Sequence, residues 1–510
     1  MNKKERRYLF RMIIPQLSYN IFSRVVKKTI ALGPVVVATA ASKLFDWDVE
    51  IIHEDGSRKL IKRDKNRSID HNLLQKERPA DVVGFYCAIS STMPRVWKLA
   101  EFYKSQGILT IAGGLHSHYE PLESLQNFID IVVHGDGEKT IRQILVNFQK
   151  EKPFLKIPGI SFLKNGKLIT NPQETSPRGH DLFLECLPYP DPGLIRDCKI
   201  KEYPIGRIRG CGMNCEFCSV KTKARWSSPK KLFETVQYLV ETRNAKHFFL
   251  VDDRTDEDKE GSIQFFELIK EKYGRSLYFT VQIRLEAARD TKFLALMQEA
   301  GVRGVCIGCE SPMDEELQVM RKGYRASDML KWTQTYHSFG FFIHGMFIFG
   351  YPGIKTSLSA RERMNRFKTF IKQARLDTIQ VLKPIPIVGS ELRTRLEREG
   401  KLLPREIVPW GKYDGNHACF VPEDMSVEEL QKYPTKIMKW FYHRRSFWRI
   451  GLRILAMPFD YLLRGWDSWY RDWRNDIIKF GGSRVYKKWK QRNDESLFVS
   501  QIENYLQGKS

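Results

Sequence analysis

The chain has 510 residues, 42% of them hydrophobic and 12% aromatic, which excludes a disordered polymer and suits two or three domains with cores of their own. Lys and Arg outnumber Asp and Glu by 84 to 60, a formal charge of +24 that points to an anionic partner: a phosphate-bearing substrate, nucleic acid or a membrane surface. Its apolar runs fall short of the roughly 18 residues a transmembrane helix needs, and its nine cysteines, scattered apart from one tight group, predict no disulfide framework and a reducing cytoplasm.

Over residues 1–150, short runs rich in Val, Ile and Leu alternate with helical stretches. Strands are predicted at Tyr8–Ile14, Asp48–His53, Asp81–Cys87, Ile108–Ala112 and Ile129–Val133, and helices at Gly33–Leu44, Arg95–Ser105, Leu122–Phe128 and Glu138–Gln149. This is the pattern of a doubly wound parallel sheet, which binds ligands at the carboxyl ends of its strands. Ser90, Gly113, Gly114 and Gly135 fall at such ends, where glycine either lets the backbone approach a ligand or serves a tight turn. The stretch IALGPVVVATAA (Ile30–Ala41), after Lys27 and Lys28, imitates a signal peptide, but its distance from Met1 and the interrupting Gly33-Pro34 assign it to the fold. Residues 151–200 read as a linker holding a hairpin around Asn165-Gly166 and the Pro-rich LPYPDPG.

From Tyr203 the alternation resumes, with strands ending near Arg209, Asp252, Arg284, Glu310, Gly350 and Pro384. Six units over residues 201–395 are too few for a full barrel, which usually takes about 250 residues, and predict a partial (β/α)6 barrel. The first loop carries Cys211-Gly-Met-Asn-Cys215-Glu-Phe-Cys218. Three thiolates this close can wrap one metal centre, and on a four-iron cube they leave one iron open. On spacing alone, a zinc site or three unconnected thiols are the alternatives; zinc wants a fourth ligand, and no Cys or His follows closely. Cys306 and Cys309 are three apart on a strand, point to opposite faces and are assigned structural roles.

Residues 396–510 form a mixed, then basic and aromatic, mostly helical extension. Within 436–490, fourteen Lys or Arg against four Asp give 14 − 4 = +10, alongside Trp440, Trp448, Trp466, Trp469, Trp473 and Trp489. That composition suits peripheral contact with the inner surface of a membrane, stacking on nucleic acid, or a cap packed on the barrel.

The C-x3-C-x2-C loop after the first strand of a partial barrel, with an aromatic Phe217 before the third Cys, resembles the radical S-adenosylmethionine (SAM) superfamily. Gly308-Cys-Glu310-Ser311 followed by Lys322-Gly323, Arg284 at the third strand end, Asp252-Asp253, FGYPG (349–353) and PIPIVGSEL (384–392) resemble that superfamily's other strand endings. The segments LGPVVVATAASKL, DVVGFYCAISST, AGGLHSHYEP and VVHGDGEKT resemble the cobalamin-binding domain that precedes many such barrels. The resemblance covers about 380 residues in the expected order. It implies a [4Fe–4S] cluster on Cys211, Cys215 and Cys218, SAM on the open iron, and one-electron cleavage to a 5′-deoxyadenosyl radical. Glu310, Ser311, Arg284 and Phe217 would contact SAM; Ser90, Gly113, Gly114 and Gly135 would line a cobalamin site.

One departure stands out. The D-x-H-x-x-G motif that supplies a histidine to cobalt is absent; His53-Glu-Asp-Gly56 keeps only its second half, with Ile51 in place of Asp. The implied function is methylation of an unactivated carbon in a hydrophobic or anionic small molecule, fed by a reductant such as flavodoxin or ferredoxin. Radical ring closure or skeletal rearrangement, RNA modification, and a non-enzymatic cobalamin or redox sensor are the alternatives.

Overall fold

A computed structural model describes residues 7–17, 29–57, 68–174, 176–354, 357–443, 445–490 and 495–508; Lys27 and Lys28 lie outside them. The first sheet runs β2(Trp47–His53)-β1(Tyr8–Ile14)-β3(Val82–Tyr86)-β4(Leu109–Gly113)-β5(Ile131–Val133)-β6(Ile160–Lys164)-β7(Lys167–Thr170). The first five strands are parallel, and β6 and β7 are antiparallel. Helix Met93–Lys104 covers one face through Val96, Leu99 and Tyr103, and helices Leu32–Ala41 and Gly137–Gln149 cover the other through Val35, Ala38, Ile141 and Ile144. Burial on both faces explains why β1 reads as a continuous apolar run. Its one charge, Arg11, is fully buried but bound to Glu50 on β2 at 2.6 Å, so the ion is compensated.

The hairpin at 160–170 is not part of a linker. It extends the first sheet, because β6 pairs with β5 through Val132–Ser161 and Val133–Ile160. A helix at His71–Glu77, capped by the Asp70 side chain on Leu73 N–H, was not foreseen.

The second sheet is wholly parallel, in the order β9(Tyr203–Ile205)-β12(His247–Leu250)-β13(Tyr278–Gln282)-β14(Val302–Glu310)-β15(Phe342–Ile348)-β16(Thr378–Leu382). Side chains alternate: Ile343 and Phe347 of β15 face the helices, Phe347 meeting Phe367 and Phe370, while His344 and Met346 are half-buried on the opposite face. The same alternation leaves Cys309 fully buried and Cys306 only partly so. The intervening helices begin at side-chain caps, including Ser228, Asp258, Asp290 and Ser359.

The first barrel strand stops at Ile205, not near Arg209. The Asp252 carboxylate accepts the amides of Arg207 at 2.7 Å and Ile208 at 2.9 Å, which draws them out of the ladder. β10(Ile208–Arg209) then pairs with β11(Arg225–Trp226), which pairs with β8(Gly179–His180), and the cysteine loop is the excursion between β10 and β11.

Beyond the barrel, helix Val427–Phe441 packs on helix Ala360–Gln373, and Tyr442 closes the β16 edge by accepting from Ile379 N and donating to Ile379 O. Helices Ser446–Leu455, Met457–Lys490 and Glu495–Leu506 follow. No helix among the described residues is long and apolar enough to cross a membrane.

Candidate functional site at the facing strand ends

The cysteine loop is held by its glycines and by contacts to neighbouring elements. Gly210 and Gly212 take positive φ (88° and 66°), and a Cβ on Gly210 would lie 2.7 Å from the Lys223 carbonyl, so glycine is required there. Gly210 N–H donates to Asp253 at 2.7 Å, and Glu216 binds Tyr351, just beyond the end of β15, and Arg395 in the helix Glu391–Arg398. Burial pushes the Cys211 and Cys218 thiols up; Cys218 adds to the shift at Cys211, Cys215 adds to that at Cys218, and Asp253 adds to both. The three thiols are thus electrostatic neighbours, and Val220 N–H donates to Cys218 Sγ at 3.4 Å. Among the described residues, no three His, Cys, Asp or Glu side chains lie close enough to hold a single metal ion. By their chemistry and spacing, three thiols on one loop with no Cys or His following closely suit a cluster with one open iron better than tetrahedral zinc.

Beside the loop lies a network of charge. Glu310 sits at φ 59°, in the left-handed region, where the β14–β15 register shifts. That turn folds its carboxylate back over Gly308, where a Cβ would lie 2.3 Å from Glu310 Oε1. Lys322 Nζ donates to Glu310 at 3.1 Å, and despite the opposing effect of burial this holds the ammonium above its usual range. Arg284 donates to the Lys322 carbonyl at 3.0 Å and pairs with Glu286; burial opposes the charge, yet Glu286 keeps its pKa raised. Cys215 acts electrostatically on both Lys322 and Arg284, so the network borders the loop. Phe217 meets Tyr351 edge-on at 6.3 Å and lies 6.0 Å under Lys322. Ser311 is fully buried and turned inward: its Oγ accepts Met313 N–H and bonds Glu316, so it is not presented to this face.

The two sheets turn their strand ends to each other. Arg209 binds Asp136 and Glu138, Arg225 binds Asp136, and Tyr119 donates to the Ser219 carbonyl at 3.1 Å. Between them lies a cavity of about 440 Å³, walled by Gly33, Gly84, Gly113, Gly114, Gly135 and Gly137 on one side and by Gly206–Arg209 and Asp252–Asp253 on the other. A Cβ on Gly33 or Gly113 would meet its nearest atoms only at 3.7 and 3.9 Å, so a side chain there would enter the cavity. Two carboxylate oxygens of cavity residues, Asp252 Oδ2 and Glu138 Oε2, are buried with no partner. Burial lifts Asp252 to about 6. Glycine walls and unsatisfied acceptors fit a bulky ligand with donor groups, as cobalamin is.

Some expectations change here. Gly114 lines the cavity but is also needed sterically, since a Cβ would lie 2.6 Å from Ala88 N. Gly135 lies beneath Gln173. Ser90 is not among the cavity residues and bonds His116 instead. His116, on the same stretch, is buried between Ser90, Glu123 and Trp410. His118 bonds His134 at 2.9 Å. His53 lines a different, smaller recess, which agrees with the missing histidine motif. Glu216 escaped sequence reading; its only trace was its place inside the cysteine motif.

Two family models match the chain: B12 binding domain over residues 21–145 and Radical SAM superfamily over residues 205–357. Among curated relatives, an uncharacterized methyltransferase of Pyrococcus horikoshii is 27% identical over 425 residues, covering 81% of this chain and 88% of its own. Cytidylyl-2-hydroxyethylphosphonate methyltransferase of Streptomyces wedmorensis is 25% identical, over 73% and 77%. The structure of the radical SAM methyltransferase TsrM of Kitasatospora setae, with cobalamin and [4Fe–4S] cluster bound, aligns with TM-score 0.63 over 80% and 81% of the chains at 14% identity, a likeness of fold. The B12 binding domain match thus falls on the glycine-ended sheet and the Radical SAM superfamily match on the partial barrel, so the chain joins a B12-binding domain to a radical SAM domain across the cavity.

Proposed function

We propose that the chain methylates an unactivated carbon of a hydrophobic or anionic small molecule. The observation that carries this reading is the glycine-walled cavity whose far wall, Asp253, acts on the thiols of the cysteine loop. Asp253 lines the cavity and holds the start of the cysteine loop through Gly210 N–H, so ligands of the cavity and of the loop would address one substrate from neighbouring positions. Cys211, Cys215 and Cys218 hold the cluster. The bound cofactors supply one-electron cleavage of SAM and a transferable methyl group. Arg284 would pair with the SAM carboxylate, Glu310, held in place by Lys322, would accept hydrogen bonds from its ribose, and Phe217 would pack against its flat base. Gly33 and Gly113 keep the corrin side open, Gly114 and Gly135 line it, and Arg207 and Arg209 line the facing wall. The electron comes from an external reductant, for which flavodoxin or ferredoxin is the proposed donor.

Anaerobic reconstitution with iron, sulfide and hydroxocobalamin tests this. Expected are about four irons per chain, a cobalamin absorption spectrum that co-elutes with the protein, and SAM-dependent 5′-deoxyadenosine or methylcobalamin formation under a strong reductant. Retention of iron without any cobalamin would overturn the methyl-transfer reading. Methyl-labelled SAM whose label never reaches a product, while a product forms, would favour ring closure or rearrangement.

A further inference from the structure

The C-terminal extension divides into two parts. Trp469, Trp473 and Trp489 are buried or half-buried, whereas Trp440, Trp448 and Trp466 are exposed. The exposed part is a helical hairpin formed by Ser446–Leu455 and the start of Met457–Lys490. Trp448 is 73% exposed, Leu455 77%, Phe459 72%, Leu462 79% and Leu463 83%. Folded monomers rarely leave such a contiguous set of large apolar side chains in water.

The hairpin is nonetheless built firmly. Arg453 bonds Asp472 at 3.0 Å and Asp476 at 2.7 Å, Trp469 Nε1 donates to the Arg453 carbonyl at 2.7 Å, and Phe447 lies 5.2 Å from Phe480. Gly465, at φ 78° and ψ 164°, breaks the second helix and sets the apolar tip off from the shaft below it. The shaft is rooted at the floor of the barrel. Asn475 donates to Asp377 at 2.7 Å and Arg474 covers Phe342 at 4.7 Å, both partners standing where β16 and β15 begin.

The shaft below the tip is basic. Asp472 and Asp476 are committed to Arg453, while Lys439, Arg445, Arg449, Arg484, Lys487 and Lys488 are exposed. We propose that this hairpin is an interfacial anchor that seats its tip in a bilayer surface containing anionic phospholipids. Leu455, Phe459, Leu462 and Leu463 enter the boundary between headgroups and acyl chains, Trp448 and Trp466 sit at headgroup level, and the arginines and lysines pair with lipid phosphates. The hairpin lies in the interface and does not span it. It leaves the barrel at the strand beginnings, opposite the cysteine loop at the strand ends, so the anchor does not seal the mouth. The inference is independent of the methyl-transfer reading.

The test is flotation of the full-length protein with phosphatidylcholine vesicles, with and without phosphatidylglycerol. Recovery with the anionic vesicles and its loss in high salt are expected. The variant L455D/L462D/L463D, altered only where side chains meet solvent, should bind at least about tenfold more weakly with unchanged circular dichroism and iron content. R445E/R449E should reduce anionic binding while leaving the residual neutral binding unchanged. Equal recovery of wild type and the triple variant would overturn the anchor. So would absence of binding to any vesicle, whether because the protein is a dimer that the triple variant makes monomeric, which assigns the face to a second copy, or because it binds RNA instead.

Discussion

The two walls of the central cavity are both ends of parallel sheets, yet they are made of opposite materials. The barrel wall and the loop beside it present Cys, Glu, Arg, Lys and Asp held in one network, with Glu310 kept in a left-handed backbone conformation to aim its carboxylate. The facing wall presents mostly glycines and apolar side chains, with Asp136 and Glu138 bound to Arg209 across the gap. Donor atoms are needed where a small polar cofactor must be oriented and a cluster ligated. Empty space is needed where a large ligand brings its own shape. The difference predicts that damage to one wall leaves the other functional.

The largest effect is expected in the loop. Cys→Ala at 211, 215 or 218 should abolish iron binding and SAM cleavage while cobalamin still co-purifies; iron quantitation and 5′-deoxyadenosine analysis decide it, and loss of both cofactors together would break the separation of the walls. Next comes Glu310→Ala, which strands the Lys322 ammonium in a buried site and should destabilise the chain by about 3–5 kcal/mol in denaturant unfolding. Glu310→Gln should spare much of that stability but weaken SAM binding by about 10–100-fold, as for groups that orient a ligand near a metal centre. On the other wall, Gly113→Val should weaken cobalamin by an overpacking cost of about 1–3 kcal/mol, with iron content unchanged.

The smallest effect concerns Asp252. Burial raises it from an ordinary 3.8 to about 6, so between those values the folded chain holds a proton that the unfolded chain has lost. Its favourable contribution is complete below about 3.8 and disappears as pH rises through about 6. Apo wild type should therefore lose about 2–3 kcal/mol more stability than Asp252→Asn between pH 4 and 7. Parallel pH–stability curves for the two would remove Asp252 as a strained acceptor awaiting a donor.

Strand and helix alternation, the cysteine spacing and the glycines at strand ends were legible in the sequence because each is local: periodicity, ligand number and backbone freedom need no distant partner. The same local signals misassigned the 160–170 hairpin, since only pairing with β5 joins it to the first sheet. Strand β9 stops early because a carboxylate 47 residues on, Asp252, takes its outgoing amides. The surroundings of His116 include Trp410, nearly 300 positions away, which no local signal announces. Ser311 sat within a motif, yet its hydroxyl turned to the backbone of the next helix.

The sequence by itself determined the chemistry: three thiolates on one loop, two α/β units in a fixed order, and a tail rich in cations and tryptophan. Covalent spacing and side-chain type are sufficient for those conclusions. The tertiary structure decided which groups meet. It set Asp253 beside the thiols and opposite Gly113, it folded Glu310 onto Lys322, and it sorted the tryptophans of one basic segment into those that pack and those that face water. These depend on contacts between residues tens to hundreds of positions apart, and composition alone carries no record of them.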